Sequence, residues 1–409
     1  MLLRLTVLSA LFIGIISGNT HGQKNNPNQD PYEIGVYYFP NYHIDPHNED
    51  QHGKGWTEWD LMKHASPRFK GHNQPKVPLW GYDDEADPVV MEKKIKVADE
   101  YGIDFFIFDW YYYEEHEFLH RALDEGYFNA PNNKDVPFCI MWANHDWRRL
   151  MPVKVNDKPD IIWNGDVSIK VFDKMTDLII EKYFKHPAYY TIDGAPYFSI
   201  FSLKTFLRGF NDEDEAARAI AIFREKTIAA GFDDLHLNIV GRGQAFNVET
   251  NSEFITGFEQ TVKKLGTQSI NTYNMVDEKS TENWPKTEYR QGVESAQKFW
   301  DAAVDEFSLP YYPTVSMGWD VSPRTVQSDR YLDVGYPFTP IYVNNTPALF
   351  KDILERMKEV IDRQSPVQNK HRIGIINAFN EWTEGSYLEP DTIHKYDYLE
   401  AVREVFGGK

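Results

Sequence analysis

The feature that most constrains this chain is a pattern repeated along its length. A short apolar run ends in polar and aromatic residues, a helical stretch follows, and another such run begins. Ile34–Phe39 is stopped by Pro40, Phe105–Trp110 carries Asp109 at its end, and Phe138–Asn144 runs into His145, Asp146 and Trp147. Tyr197–Phe201, Leu235–Val240, Pro313–Met317 and Ile373–Ala378 continue the series. A short sixth run lies between Phe246 and Tyr273, without a secure position. Near-continuous apolar runs of this length suit strands buried on both faces. Helical periodicity marks Pro88–Tyr101, weakly Leu119–Glu125, then Val167–Phe184, Glu213–Ala230, Ser295–Phe307, Ala348–Arg363 and Lys395–Phe406. Gly102 and Gly231 stand where helices end. Alternating buried strands and helices imply parallel pairing through helical crossovers. With no internal repeat and no Pro/Ser-rich linker, residues 32–409 are expected to form one α/β unit, a single (β/α)8 TIM barrel with long βα loops.

A barrel gathers the polar ends of its strands at one rim, where active sites are built. The densest such end is the last one. After Ile373–Ala378 and Phe379 come Asn380, Glu381, Trp382, Thr383, Glu384 and Gly385. Glycosidic cleavage requires one carboxyl held neutral to protonate the leaving oxygen and another kept ionised. Two acids close together in an aromatic pocket have their proton affinities driven apart. Glu381 and Glu384 are therefore the candidate catalytic pair, with Asn380 and Trp382 as candidate substrate contacts. The competing reading is two solvated loop acids.

Other strand ends supply further candidates. Tyr38 either meets substrate or packs. Asp109, Trp110, Trp142, Asn144 and His145 lie at the second and third strand ends, where Asp109 and Asn144 could instead cap loop backbone. Trp319, Asp320 and Arg324 follow the seventh run; Asp320 and Arg324 form either an ion pair closing a loop or a substrate contact. The long segment from Asn41 to Asp84 is of a size that is usually functional. It carries His43, a candidate for sugar hydroxyls, and Trp56, Glu58 and Trp59, which serve either substrate or a loop anchor. Its histidine spacings match no compact zinc pattern, so no metal and no cofactor are expected.

The formal charge of −19 disfavours nucleic acid, which requires a basic footprint. The aromatic share of 15% exceeds what a core needs and suits stacking on sugar faces. Residues 1–22 read as an export signal, with Arg4 followed by a short apolar segment, and residues 23–31 as a flexible leader. Later in the chain no run is long enough to span a membrane. The single cysteine, Cys139, lies in an apolar run as an inert core thiol. Together these predict a monomeric protein of the periplasm or the cell exterior.

Seven stretches in order resemble one family. They are Tyr37-Tyr38-Phe39-Pro40 with His43; Gly53 to Trp59; Gly71 to Pro75; Ala98 to Ile103; Trp142-Ala143-Asn144; Gly318-Trp319-Asp320 with Pro323-Arg324; and Asn377 to Gly385. The chain resembles the WbsX-type proteins, which are similar to glycoside hydrolase family 99. The resemblance implies a (β/α)8 barrel acting on glycans without metal or organic cofactor. It further implies retaining cleavage of α-mannosidic bonds, with Glu381 as base on the sugar's own 2-hydroxyl and Glu384 as general acid. Where relatives carry Glu-Asn-Trp, this chain reads His145-Asp146-Trp147, so the sugar met there is expected to differ. WbsX proteins are also described as glycosyltransferases. Three functions follow: a hydrolase acting on an oligosaccharide or polysaccharide, a transferase of surface-polysaccharide synthesis, or a non-catalytic glycan-binding barrel. A transferase needs a phosphate-binding turn, for which Gly241-Arg242-Gly243 is the candidate.

Overall fold

The structure is a computed structural model that describes residues 31–114, 116–149, 151–241, 257–276, 282–365 and 368–407. The expected export signal and all but the last residue of the expected leader lie outside the described residues. The strands of the main sheet are β1 (Glu33–Tyr38), β2 (Phe105–Tyr113), β3 (Phe138–Trp142), β4 (Ala195–Ile200), β5 (His236–Gly241), β6 (Ser269–Thr272), β7 (Tyr311–Tyr312), β8 (Thr314–Ser316) and β9 (Ile373–Asn377). All pair in parallel, in the spatial order β7-β6-β5-β4-β3-β2-β1-β9-β8.

The two ends of that order are neighbours in sequence. Pro313 alone separates β7, which pairs with β6, from β8, which pairs with β9. Proline has no N–H to give the ladder, but its carbonyl still accepts from Ile375 N at 3.0 Å. The ring closes through the chain at this point, and the expected (β/α)8 barrel is the observed fold. Its sixth strand is Ser269–Thr272, inside the window where the sequence left it unplaced.

Helices cover the outside. Pro347–Arg363 shows why they form where they do. Thr346 caps it by accepting from Leu349 N, and Pro347 sits at the first position, where a missing N–H costs nothing. Phe350, Ile353, Leu354, Met357, Val360 and Ile361 form its buried stripe. Met357 and Ile361 pass over Gly374, where a Cβ would meet their tips at 2.9 and 3.0 Å. The expected Leu119–Glu125 helix is a π-helical turn at Ala122–Tyr127. Val167–Phe184 resolves into an α-helix, Ile169–Leu178, continuing as π-helix over Ile179–Phe184.

Along each strand alternate residues face the barrel interior or the helices. The interior layer is polar and bonded across the barrel. Asn271 Nδ2 donates to Tyr37 Oη at 2.7 Å, and Asn238 Nδ2 donates to Asn271 Oδ1 at 2.7 Å and Ser199 Oγ at 3.1 Å. Buried polar groups are tolerated only when paired in this way. Asn271→Ala, which orphans partners on two strands, is expected to destabilise the fold by about 1–3 kcal/mol in chemical denaturation.

Candidate active site

Strand β9 delivers the chain to the rim, and the next residues are fixed by their own side chains. Asn380–Glu381 pairs with Ser386–Tyr387 in a two-rung antiparallel hairpin, with one 3-10 turn, Trp382–Glu384, between them. Gly385 closes the turn at φ +65°, and a Cβ there would meet the Asp320 backbone nitrogen at 2.9 Å, so only glycine fits. The Asn380 amide is clamped on Phe39, accepting from its N–H at 2.8 Å and donating to its carbonyl at 2.7 Å. Trp382 stacks on Tyr387 with centroids 3.8 Å apart and donates to Glu389 at 2.6 Å. Glu389 belongs to a buried cluster around Lys94, whose ammonium lies 2.7 Å from Glu389, 2.9 Å from Glu85 and 3.2 Å from the Tyr38 hydroxyl. Burial pushes the Glu389 carboxyl up to about 7.

The residues between these anchors meet a second cluster. Arg324, at the end of a 3-10 turn over Ser322–Arg324, is buried and holds three carboxylates. Its Nη2 donates to Glu381 at 2.7 Å and Glu58 at 2.8 Å, its Nε to Glu58 at 3.0 Å, and its Nη1 to Glu384 at 2.5 Å. Tyr336 Oη receives from Nη1 at 2.6 Å and donates to Glu384 at 2.9 Å. Glu58 is completed by Asn41 Nδ2 at 2.5 Å and by the Thr383 hydroxyl. Glu381 and Glu384 are 1% and 7% exposed, which excludes solvated loop acids.

Burial raises the proton affinity of Glu381 well above the ordinary glutamate range. Arg324 opposes the rise, while the charges of Glu384, Glu58 and Asp109 add to it. Asp109 is likewise raised by burial, against a hydrogen bond of 2.9 Å from Tyr273 Oη. Its other oxygen is buried with no hydrogen-bond partner among the described residues. Arg324 stays charged because Glu58, Tyr336, Glu381 and Glu384 outweigh the cost of its burial.

These groups line a cavity of about 470 Å³, the size of a small-ligand site. Asp109, Tyr111, Tyr273, Trp319, Arg324, Tyr336, Glu381 and Glu384 are in its wall. His145, Asp146, Trp147, Arg148, Met151 and Pro159 line it as well, with Tyr111 in ring contact with His145 and Trp147. Of the candidates read from sequence, Glu381, Glu384, Asp109, His145 and Trp319 meet there, and Glu58 stands behind Arg324. The rest do not line the cavity. Tyr38, Trp110 and Trp142 have the outward parity of their strands. Tyr38 packs on Phe108 and bonds Lys94; Trp110 donates to Tyr183; Trp142 lies against Phe172 and Phe206. Asn144 caps backbone, donating to Ser202 O and accepting from Ser202 N, and Asn380 and Trp382 are the anchors described above. Trp56 stacks on His52. His43 is fully buried, and burial beside Arg121 and His120 lowers it to about 3, leaving it neutral. Asp320 does not pair with Arg324. It takes His72 at 2.9 Å, Gln74 at 2.6 Å and Lys76 at 3.4 Å, and Lys76 and His72 hold its carboxyl well below the usual range despite burial.

Sequence reasoning passed over Tyr111, Tyr273 and Tyr336. The first was within reach, since it shares the inward parity of Asp109 on β2. Among the described residues no three His, Cys, Asp or Glu side chains are grouped to hold a metal ion.

Fold and site define a (β/α)8 barrel with a carboxylate-lined cavity at its C-terminal rim. Residues 34–402 match the family described as glycosyltransferase WbsX, and the chain belongs to that family. It is 27% identical over 387 residues to the uncharacterized protein WxcX of Xanthomonas campestris pv. campestris, covering 92% of this chain and 50% of that protein. The chain thus spans about half the length of the curated relatives it matches. Among solved structures it is similar in fold to the family 99 endo-α-mannosidase of Bacteroides thetaiotaomicron in complex with bis-tris-propane. That match has a TM-score of 0.56 at 14% identity and covers 91% of this chain and 95% of that one. A glycoside hydrolase-like protein matches with a TM-score of 0.57 at 15% identity, covering 93% and 95%.

Arg324 is the element on which the cluster depends. Arg324→Met, which leaves buried carboxylates without their counter-charge, is expected to cost about 3–5 kcal/mol of stability, read as a fall in melting temperature at pH 7. Lowering the pH should narrow the deficit, because protonating the carboxyls removes the unpaired charge.

Proposed function

We propose that this chain is a glycoside hydrolase acting on an oligosaccharide or polysaccharide, with Glu381 and Glu384 as its catalytic pair. The observation that carries this is the sharing of one buried guanidinium by two buried carboxyls in a sugar-sized cavity at the barrel rim. A glycosidase needs one neutral and one ionised carboxyl facing the scissile bond. Raised proton affinity at Glu381 suits a carboxyl that takes up a proton, and the Arg324 guanidinium fixes both groups in the cavity wall.

The fold of the family 99 enzyme and the Asn-Glu-Trp-x-Glu-Gly motif support α-mannosidic cleavage with retention. In that reaction Glu381 takes the proton of the sugar 2-hydroxyl as O2 attacks C1. Glu384 gives its proton to the glycosidic oxygen as the C1–O bond breaks. Water then attacks C1, losing its proton to Glu384, while the C1–O2 bond breaks and Glu381 returns the proton to O2. A base of raised proton affinity is a stronger base, at the expense of working only at higher pH. Residues 1–22 support export, and no helix among the described residues is long and apolar enough to cross a membrane. We place the reaction outside the cytoplasm, where nucleotide-sugar donors are absent. The family's description as a glycosyltransferase sets the competing outcome. The phosphate-binding candidate Gly241-Arg242-Gly243 lies, beyond Gly241, outside the described residues.

Glu381→Gln and Glu384→Gln should each lower kcat/KM on a cleaved glycan by about 10²–10⁴-fold. On an aryl glycoside whose leaving group needs no proton, Glu384→Gln should regain activity and Glu381→Gln should not. Unchanged turnover in Glu384→Gln, or calorimetric binding of a nucleotide sugar with transfer to an acceptor, would remove the hydrolase assignment. In the wild type the acidic limb of the kcat/KM profile should lie above the ordinary glutamate value, because Glu381 must lose its proton to act. A limb at the ordinary value would contradict its role as base.

A further inference from the structure

One part of the cavity wall has a chemistry that the catalytic pair does not use. A short ribbon pairs Trp147–Arg148 antiparallel with Ile161–Trp163, the register shifting between Trp147 and Arg148. Trp147 and Arg148 line the cavity. Among the described residues Arg148 has two partners: one N–H donates to the Pro159 carbonyl at 3.1 Å, and Asp146 forms a long ion pair with it at 3.8 Å, the Arg148 side chain staying 41% exposed. Asp146 is already committed. It accepts from the Gly165 N–H at 3.0 Å and from Arg208, which also holds Asp166 at 2.5 Å. With Arg208 set against Asp146 and Asp166 at hydrogen-bonding distance, Arg148 is the more weakly compensated of the two arginines.

Beside it Trp147 is buried, its ring packed edge-on against Phe118 at 4.8 Å, which fixes the backbone that carries Arg148. A guanidinium on a fixed backbone suits an oxyanion. In a chain with a formal charge of −19, whose cavity also holds Glu381, Glu384 and Asp109, an acidic substrate needs such a local cation to enter.

We propose that the substrate is an acidic glycan, and that Arg148 binds the anionic group of a sugar in the cavity. This rests on the cavity being the glycan site proposed above. The shared chemistry is a carboxylate, sulfate or phosphate on the sugar.

Matched pairs of glycans test it: hexuronate-containing oligosaccharides against their carboxyl-reduced forms, sulfated oligosaccharides against desulfated ones, and phosphorylated mannans against dephosphorylated ones. Turnover and calorimetric binding are measured for wild type, Arg148→Met and Arg148→Lys, with melting temperatures confirming that each folds. Wild type should prefer the charged member of one pair by about 10- to 100-fold. Arg148→Met should lose that preference, charged and neutral members then being bound and cleaved alike, and Arg148→Lys should recover part of it. The pair that responds identifies the anion. Charge preference in binding without turnover of any pair would uphold this proposal and overturn the hydrolase. Neutral members cleaved or bound as well as charged ones, a preference untouched in Arg148→Met, or no binding of any charged member would overturn this proposal.

Discussion

One buried guanidinium facing three buried carboxylates is the constraint from which the rest of the rim follows. Arg324 touches Glu58, Glu381 and Glu384 at 2.5–3.0 Å, and all four groups are shielded from water. A single positive charge does not balance three negative ones, with Asp109 adding a fourth acid nearby. In a low-dielectric site like charges cannot all ionise. Burial and the neighbouring carboxylates therefore raise the proton affinity of Glu381, against the opposing charge of Arg324. A chain built only for stability has little use for such an arrangement, since well-packed apolar groups of similar volume are commonly as stable or more so.

Holding that arrangement requires a scaffold on the far side of the same loop. Between Asn380 and Glu389 the side chains divide. Asn380 and Trp382 turn towards Phe39, Glu389 and the Lys94 cluster, while Glu381 and Glu384 turn towards Arg324. The two ionic clusters thus grip the loop from opposite sides. Gly385, with no room for a Cβ beside Asp320, lets the chain reverse in the space available. Asp320, fixed by His72, Gln74 and Lys76, supports that turn and takes no part in the Arg324 cluster.

Much of this was legible in the sequence, for a physical reason. Buried parallel strands are apolar on both faces and end abruptly, so the runs at Ile34, Phe105, Phe138 and Ile373 marked themselves, and with them the rim. What did not follow was which side chains look inward. Trp110 and Trp142 lie beside Asp109 and Ala143, yet a one-residue step reverses the face, and both tryptophans pack under helices. Loop positions were harder still. Arg324 and Glu58 are far apart in sequence, and no local pattern reveals that they meet. Tyr336 has no strand to announce it. Trp147 and Arg148 stood out only as part of an unusual third strand end; their shared placement in the cavity wall came from a ribbon too short to read from periodicity.

The raised proton affinity of Glu381 can be measured directly by infrared spectroscopy. The wild type and Glu381→Gln are compared at pH 7, each folded as judged by its thermal transition. A carbonyl stretch of a neutral carboxylic acid present in the wild type, missing from Glu381→Gln, and lost from the wild type only at a pH above the ordinary glutamate range is the predicted result. Identical spectra for the two proteins in that region at pH 7 would mean that Glu381 is fully ionised, and would contradict the account.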